Sequence, residues 1–404
     1  MAAIDPQSDT PLPLAGLRVI EFTQTIMGPS AGLVLADLGA DVIKVEPAPD
    51  GDSTRRLAGF AAGFFGFFNR NKRAVAIDLK HPAGRALAHR LAATADVLLE
   101  NYAPGTMERL GCGYDALAAV NPRLVYCALK GFLSGPYEHR PALDEVVQFM
   151  GGLAYMTGPP GQPLRAGTSV VDIMGGTMAV IAILAALRER DRTGKGQLVK
   201  SALFESTVFM MGQHLAGEAL TGEPSPPMPA RRSAWGIYQV FRTRDDDALF
   251  LGVTSNAHWK RFCEMLGATD LLDDARLASN EDRVAAREWL IPRVADLLAH
   301  HDKAELVAKC EAAGIPYAPV AKPGDLLDDP HLRAGDALLD VTLPGGRRAR
   351  LPRLPIEMDG RKPGLRFDAP RLGEHTRAVL REAGLGDDEI AALARERVII
   401  ANDT

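Results

Sequence analysis

The chain is short of cysteine, of excess positive charge and of long uninterrupted hydrophobic runs. Its four cysteines, Cys112, Cys127, Cys263 and Cys310, lie far apart, with no CxxC spacing and no histidine-rich neighbourhood, which argues against a zinc site or a disulfide framework. A net charge of −5 excludes the broad basic field of a nucleic-acid or acidic-membrane binder. An anionic ligand must therefore be met by individually placed residues. The longest apolar stretch, 173–187, has glycines near its start and ends in RERDRTGKG, so it reads as too short for a bilayer span. The opening MAAIDPQSDTPLPL is polar and proline-bearing, without the basic start and apolar centre of a signal peptide. No internal repeat or low-complexity segment is seen, and the expected class is a soluble enzyme of the reducing cytoplasm.

What is present is ordinary globular material: 404 residues, 47% hydrophobic and 24% charged. That length favours two domains over one. GLRVIEF (16–22) reads as a strand, GPSAGLVLADLGA (28–40) as a helix and DVIKVE (41–46) as a second strand, which together make a βαβ unit. Alternation continues through RAVAIDLK, HPAGRALAHRLAATA, DVLLEN, YDALAAV and RLVYCAL. The fold class expected is α/β: a doubly wound parallel-sheet large domain built from N- and C-terminal segments, plus a smaller α+β domain. The boundaries expected are 1–220 for the first part of the large domain, 221–234 for a proline-rich linker, 235–320 for the small domain and 321–404 for a returning segment.

The first βα turn, TQTIMGPSAG, lacks the GxGxxG of dinucleotide-binding folds, and no GxxxxGK[ST] phosphate loop occurs. Other segments carry ligand-like chemistry. Arg70, Lys72, Arg73 and Lys80 cluster around one strand, and ENYAPGTMERLG offers Asn101 and Arg109. These residues suit a phosphate-bearing ligand, or else they are solvated surface. In AGTSVVDIMGGTMAV (166–180), Asp172 stands between small or β-branched residues and a glycine pair. Either it caps a helix beginning at 173, or it does chemistry, and the two roles are compatible. Gly175 and Gly176 would leave room for backbone to approach a ligand.

Nine segments in order resemble the type III CoA-transferase (CaiB/BaiF) family: PLAGLRVIEF, GADVIKVEP with GDSTR, NRNKRAVAIDLKHPAG, ADVLLENYAPGTMERLG, GPY, VVDIMGG, TGKGQ, GIPYAPV and APRLGEHT. That family includes formyl-CoA transferase, succinyl-CoA-dependent dicarboxylate transferases, carnitine CoA-transferase and α-methylacyl-CoA racemase. The resemblance implies that Asp172 is a nucleophile that moves coenzyme A from an acyl-CoA to a free carboxylic acid, without a metal. It implies a CoA site formed by Ile26, Met27, Arg73, Ile77, Asp78, Leu79, Lys80, Asn101, Tyr102, Ala103, Arg109 and Lys130. On the acid side stand Leu143, Asp144, Arg231 and Arg232, the two arginines being able to grip the second carboxylate of a dicarboxylate or to serve only as linker charges. A homodimer of interlocked rings is implied as well.

There are departures from the family pattern. Ile26 offers no hydrogen bond where relatives often carry glutamine, and Pro47 follows Glu46 where formyl-CoA transferase has an arginine. The glycine-rich loop of that enzyme has no counterpart, which sets the chain apart from oxalate and formate specificity. The alternatives are a 2-methylacyl-CoA racemase and a CoA-binding protein without turnover. Leu143 stands where racemases have a histidine and has no base to offer, while Asp172 with its glycine pair argues for turnover.

Overall fold

The computed structural model describes residues 10–231 and 233–401. Its centre is a seven-stranded sheet in the order β12-β3-β2-β1-β4-β5-β6: β1 Arg18–Phe22, β2 Asp41–Pro47, β3 Lys72–Ile77, β4 Val97–Glu100, β5 Val125–Lys130, β6 Leu198–Ala202 and β12 Ile399–Ile400. All neighbours pair in parallel except β12, which runs antiparallel to β3.

The period-two alternation of each strand divides its side chains between two cores. Ile20, Ile43, Val75 and Leu98 pack on one face with Leu87 and Leu91 of helix Pro82–Ala92 and with Leu380 and Ile390 near the C-terminus. Val19, Val42, Leu99 and Val125 pack on the other with Leu35 of helix Met27–Asp37 and Ile183 of the long helix Val170–Thr193. The C-terminal segment is thus part of the same sheet and core; Ala76 N–H also donates to Thr376 Oγ1 at 3.3 Å.

By compactness, residues 230–333 separate from the remainder of the chain. In this second unit the antiparallel strands β7 Ile237–Arg242, β8 Ala248–Val253 and β9 Tyr317–Pro319 form one sheet. Helices Asn256–Leu266, Arg287–Leu298 and Lys303–Ala313 pack around Trp259, Phe262, Leu290 and Leu306. Strands β10 Leu338–Thr342 and β11 Arg348–Pro352 make a separate hairpin in the first unit.

Two expectations change. The apolar stretch near 173–187 belongs to a 24-residue helix, long and apolar enough to cross a membrane by length and composition. Val171, Ala179, Val180, Ile183 and Ala186 bury one side of it in the core, which marks it as a core helix. Nor are Arg70, Lys72 and Arg73 a phosphate cluster or solvated surface. Arg70 pairs with Asp37 at 2.7 Å, Lys72 with Glu21 at 2.9 Å, and Arg73 with Asp41 at 2.6 Å and Glu382 at 2.7 Å.

Candidate active site

Strand order reverses between β1 and β4, since β2 and β3 lie to one side and β5 and β6 to the other. The connections leaving such a pair run apart and open a crevice beyond the strand C-termini. Phe22 and Glu100, the last residues of these strands, are register partners. The loops that follow line a cavity of about 460 Å³ together with Asp172. A cavity of about 570 Å³ opens at the other end of the sheet, but its Arg18, Arg73, Asp41 and Glu382 already neutralise one another.

The first loop is held in a strained shape. Thr25, a β-branched residue, has φ 67°, a conformation costing about 1–3 kcal/mol that persists only when neighbours enforce it. Asn101 enforces it by acting as a peptide group. Its Oδ1 accepts from Gln24 N–H at 2.9 Å and its Nδ2 donates to Gln24 O at 2.8 Å.

Buried lysines hold the same turn from beneath. Lys44 Nζ donates to Thr23 O at 2.8 Å and pairs with Asp52 at 2.9 Å, while Lys72 Nζ donates to Pro29 O at 2.9 Å. Burial works against charge on both. For Lys44 the Glu21, Asp52 and Glu46 carboxylates win and raise its pKa, whereas Lys72, with Lys44 also opposing it, is pulled down to about 8. The second loop is treated alike: Lys130 Nζ donates to Tyr102 O at 2.8 Å and pairs with Glu100 at 2.6 Å. Burial pushes the Glu100 pKa up, against the pull of Lys130.

Asp172 is not the helix cap. The long helix begins at Val170 with Ser169 before it, which puts Asp172 at its third position, inside the first turn. The leading amides of the helix are taken by Asp144, whose Oδ2 accepts from Val171 N–H at 2.9 Å and Asp172 N–H at 3.0 Å. Burial, with the facing Asp144 carboxylate, pushes the Asp172 pKa up to about 7 against the pull of Arg165. The helix start does not keep this carboxylate fully ionised at neutral pH, because burial outweighs it and another carboxylate already occupies it.

The glycine pair also has a different role from the one expected. A Cβ on Gly175 would lie 2.6 Å from Met27 Cε, and one on Gly176 would lie 2.1 Å from Ser30 Oγ and 2.8 Å from Met27 O. The missing side chains let helix Met27–Asp37 press against the long helix, and that contact sets the first loop beside Asp172.

Of the residues expected from sequence, the cavity gathers Ile26, Met27, Asn101, Tyr102, Ala103, Lys130, Leu143, Asp144 and Asp172. It does not gather the others. Ile77 and Leu79 are core residues, and Arg73 sits at the opposite sheet edge in its ion pairs. Asp78 and Lys80 follow the C-terminal end of β3, where Asp78 Oδ1 accepts from Lys80 N–H at 2.9 Å, and Arg109 is exposed with its Nη2 donating to Thr106 Oγ1 at 2.8 Å. Arg231 is exposed and belongs to the second unit; Arg232 lies outside the described residues. Sequence reasoning missed Thr25 and Arg140, both lining the cavity. Arg140 follows the GPY motif and lies over the Tyr137 ring at 4.7 Å; only the fold brings it beside Asp172.

Residues 14–376 match the model of CoA-transferase family III. A succinate–glutarate CoA-transferase of Agrobacterium fabrum is 35% identical over 384 residues, 92% of this chain and 95% of that protein. An acetyl-CoA:oxalate CoA-transferase of Acetobacter aceti is 34% identical over 381 residues, 92% of this chain and 95% of that one. Among solved structures, a CaiB/BaiF family protein from Brucella suis superposes with a TM-score of 0.84 at 33% identity, covering 92% of this chain and 99% of that one. The chain belongs to CoA-transferase family III and is a CoA-transferase.

Proposed function

We propose that the enzyme moves CoA from an acyl-CoA thioester to a dicarboxylic acid, with Asp172 as the covalent nucleophile. The observation that carries this is the Asp172 carboxylate itself, which lines the cavity and accepts no hydrogen bond and forms no ion pair among the described residues. A carboxylate left unpartnered in a largely buried place costs free energy, and the return on that cost is reactivity.

A carboxylate oxygen of Asp172 attacks the thioester carbon, the C–S bond breaks, and CoA thiolate leaves a mixed anhydride. The thiolate then attacks the aspartyl carbonyl, releasing the first acid as its carboxylate and leaving an aspartyl-CoA thioester. The acceptor carboxylate attacks that thioester, thiolate leaves again, and its attack on the new acyl carbon gives product and frees Asp172. Each step exchanges one leaving group for one nucleophile, and no proton is consumed. A nucleophile of pKa about 7 is more basic than an ordinary carboxylate yet still half ionised at neutral pH.

Ile26, Met27 and Ala103 offer the thioester arm an apolar wall, and the exposed Lys80 and Arg109 suit the phosphates. Arg140, a guanidinium at the same cavity, suits the far carboxylate of the acceptor. Two relatives are named for transfer involving dicarboxylates, glutarate and oxalate, which supports that acceptor class. The exposed Ile181, Phe209, Leu215 and Leu220, on the long helix and the two helices after it, support a homodimer, since large apolar side chains left in water favour being covered. Sedimentation at micromolar concentration should give about twice the chain mass of 43.3 kDa, and a stable monomer would rule the dimer out.

The test of the nucleophile is trapping. With acyl-CoA and hydroxylamine, the peptide containing residue 172 should gain a hydroxamate, and borohydride should reduce the thioester at the same residue. A label on Asp144, or none during active turnover, refutes the assignment.

A further inference from the structure

We propose that Asp144 is a positioning residue for Asp172. By taking the amide protons at the start of the long helix, it leaves the Asp172 carboxylate without a partner inside the protein and available in the cavity. This rests on Asp172 being the nucleophile and adds what keeps it free.

The argument begins with what an aspartate does in a first helical turn. The leading amides of a helix have no acceptor within it, and the positive end of the helix dipole draws a carboxylate of the first turn back toward them. Such a self-cap would fold Asp172 onto its own helix. Here Ser169 makes no side-chain cap, and Asp144 Oδ2 accepts from the second and third amides at 2.9 and 3.0 Å. Asp144 is fixed in turn: its Oδ1 accepts from Gln148 Nε2 at 2.5 Å, and Gln148 Oε1 accepts from Ala166 N–H at 2.8 Å. Asp144 and Gln148 are both buried and sit one turn apart on helix Asp144–Met150. One helix face therefore holds both the loop before the long helix and its first turn.

Among the described residues, no cation pairs with Asp144. Arg165 pairs with Glu145, and its Nε donates to Ala166 O at 2.9 Å. Lys130 of β5 is committed to Glu100, and Lys200 of β6 to Glu138. Glu205, on helix Leu203–Met210, accepts from Leu133 N–H at 3.1 Å. Helix Met27–Asp37 carries no charge before Asp37, which pairs with Arg70. Arg140 lines the cavity and lies over Tyr137. The two amides are thus the backbone donors that Asp144 holds, and its carboxylate bears on Asp172. One residue does two things: it removes the partners that Asp172 would otherwise find, and it makes the Asp172 carboxylate more basic.

The experiment compares pH–rate profiles of kcat/KM for the wild type, Asp144→Asn, Asp144→Ala and Gln148→Met. Asparagine keeps an oxygen for the amides and removes the charge, so the acidic limb should move to lower pH by about one unit, with the acyl-CoA KM changed by no more than a few-fold. Alanine frees the amides for Asp172, so kcat should fall on the order of 100-fold while KM again changes little. Gln148→Met, which leaves Asp144 charged but loosely held, should lower kcat about tenfold with the acidic limb in place, and it carries the test if alanine does not fold. An acidic limb in Asp144→Asn that coincides with the wild type, or unchanged kcat in both Asp144→Ala and Gln148→Met, overturns the proposal. Wild-type hydroxamate trapping at residue 172 separates the two ideas: a label there with an unmoved limb rejects Asp144 alone, and a label elsewhere rejects the nucleophile on which it depends.

Discussion

Replacing Asp172 by asparagine should remove activity and at the same time stabilise the protein, by an amount that depends on pH. The carboxyl, with an ordinary pKa of 3.8, is raised to about 7 in the fold by burial and by Asp144. A raised acid binds its proton more tightly when folded, so this group destabilises the fold progressively as pH rises from about 4 to about 7, and the cost is constant above that. At ~1.4 kcal/mol per unit, the ceiling is roughly 4 kcal/mol at pH 8 and roughly 2 at pH 5. Water reaching the partly exposed side chain lowers both, to about 1–2 kcal/mol and under 1. Asparagine has the same shape and no charge to bury. Its Tm should exceed the wild type by about 1–2 °C at pH 8 and by less than half of that at pH 5, while thioester exchange falls to background. Differential scanning fluorimetry at the two pH values, with an exchange assay on the same samples, makes the comparison. An equal gain at both pH values, or a fall in Tm, would mean that the charge of Asp172 is not strained by its surroundings.

Three further outcomes follow from particular contacts. Gly176→Ala forces a Cβ against Ser30 Oγ and Met27 O, at 2.1 and 2.8 Å without relaxation; it should cost about 1–3 kcal/mol in urea denaturation, and a neutral result would show that the two helices can separate freely. Asn101→Ala removes both hydrogen bonds that hold Gln24, so the strained Thr25 turn should relax and kcat/KM fall at least tenfold with the fold intact by circular dichroism; unchanged kinetics would make Asn101 dispensable. Leu143 lines the cavity and has no proton-accepting atom, so 2-methylacyl-CoA should not exchange its α-hydrogen in heavy water, and exchange as fast as CoA transfer would restore the racemase reading.

Much of the fold was legible in the sequence because parallel strands buried on both faces leave an unmistakable alternation of apolar runs and amphipathic helices. The βαβ start, the long apolar helix and the return of the C-terminus were readable in that way. Helix ends were less so. Asp172 followed by a helical run looks like an N-cap, but the helix starts at Val170, because Asp144, 28 positions earlier, supplies the acceptor that lets it begin sooner.

The sequence by itself determined the family, and it singled out Asp172 together with Ile26, Met27 and residues 101–103, which the fold brings to one cavity, since these are local patterns that stay together in the chain. Tertiary structure alone decided which charges meet ligands and which meet each other. Arg70, Lys72 and Arg73 look from the sequence like a basic patch, yet their partners Asp37, Glu21, Asp41 and Glu382 come from other strands and helices. Burying an ion is tolerable only beside its counterion, and that pairing is a property of the packed sheet. The same holds for Gly175 and Gly176, where the space left by a missing side chain is filled by whichever element packs there, here helix Met27–Asp37. The basicity of Asp172 has the same origin: it comes first from burial and then from a second carboxylate, both of which only the folded chain brings to that helix start.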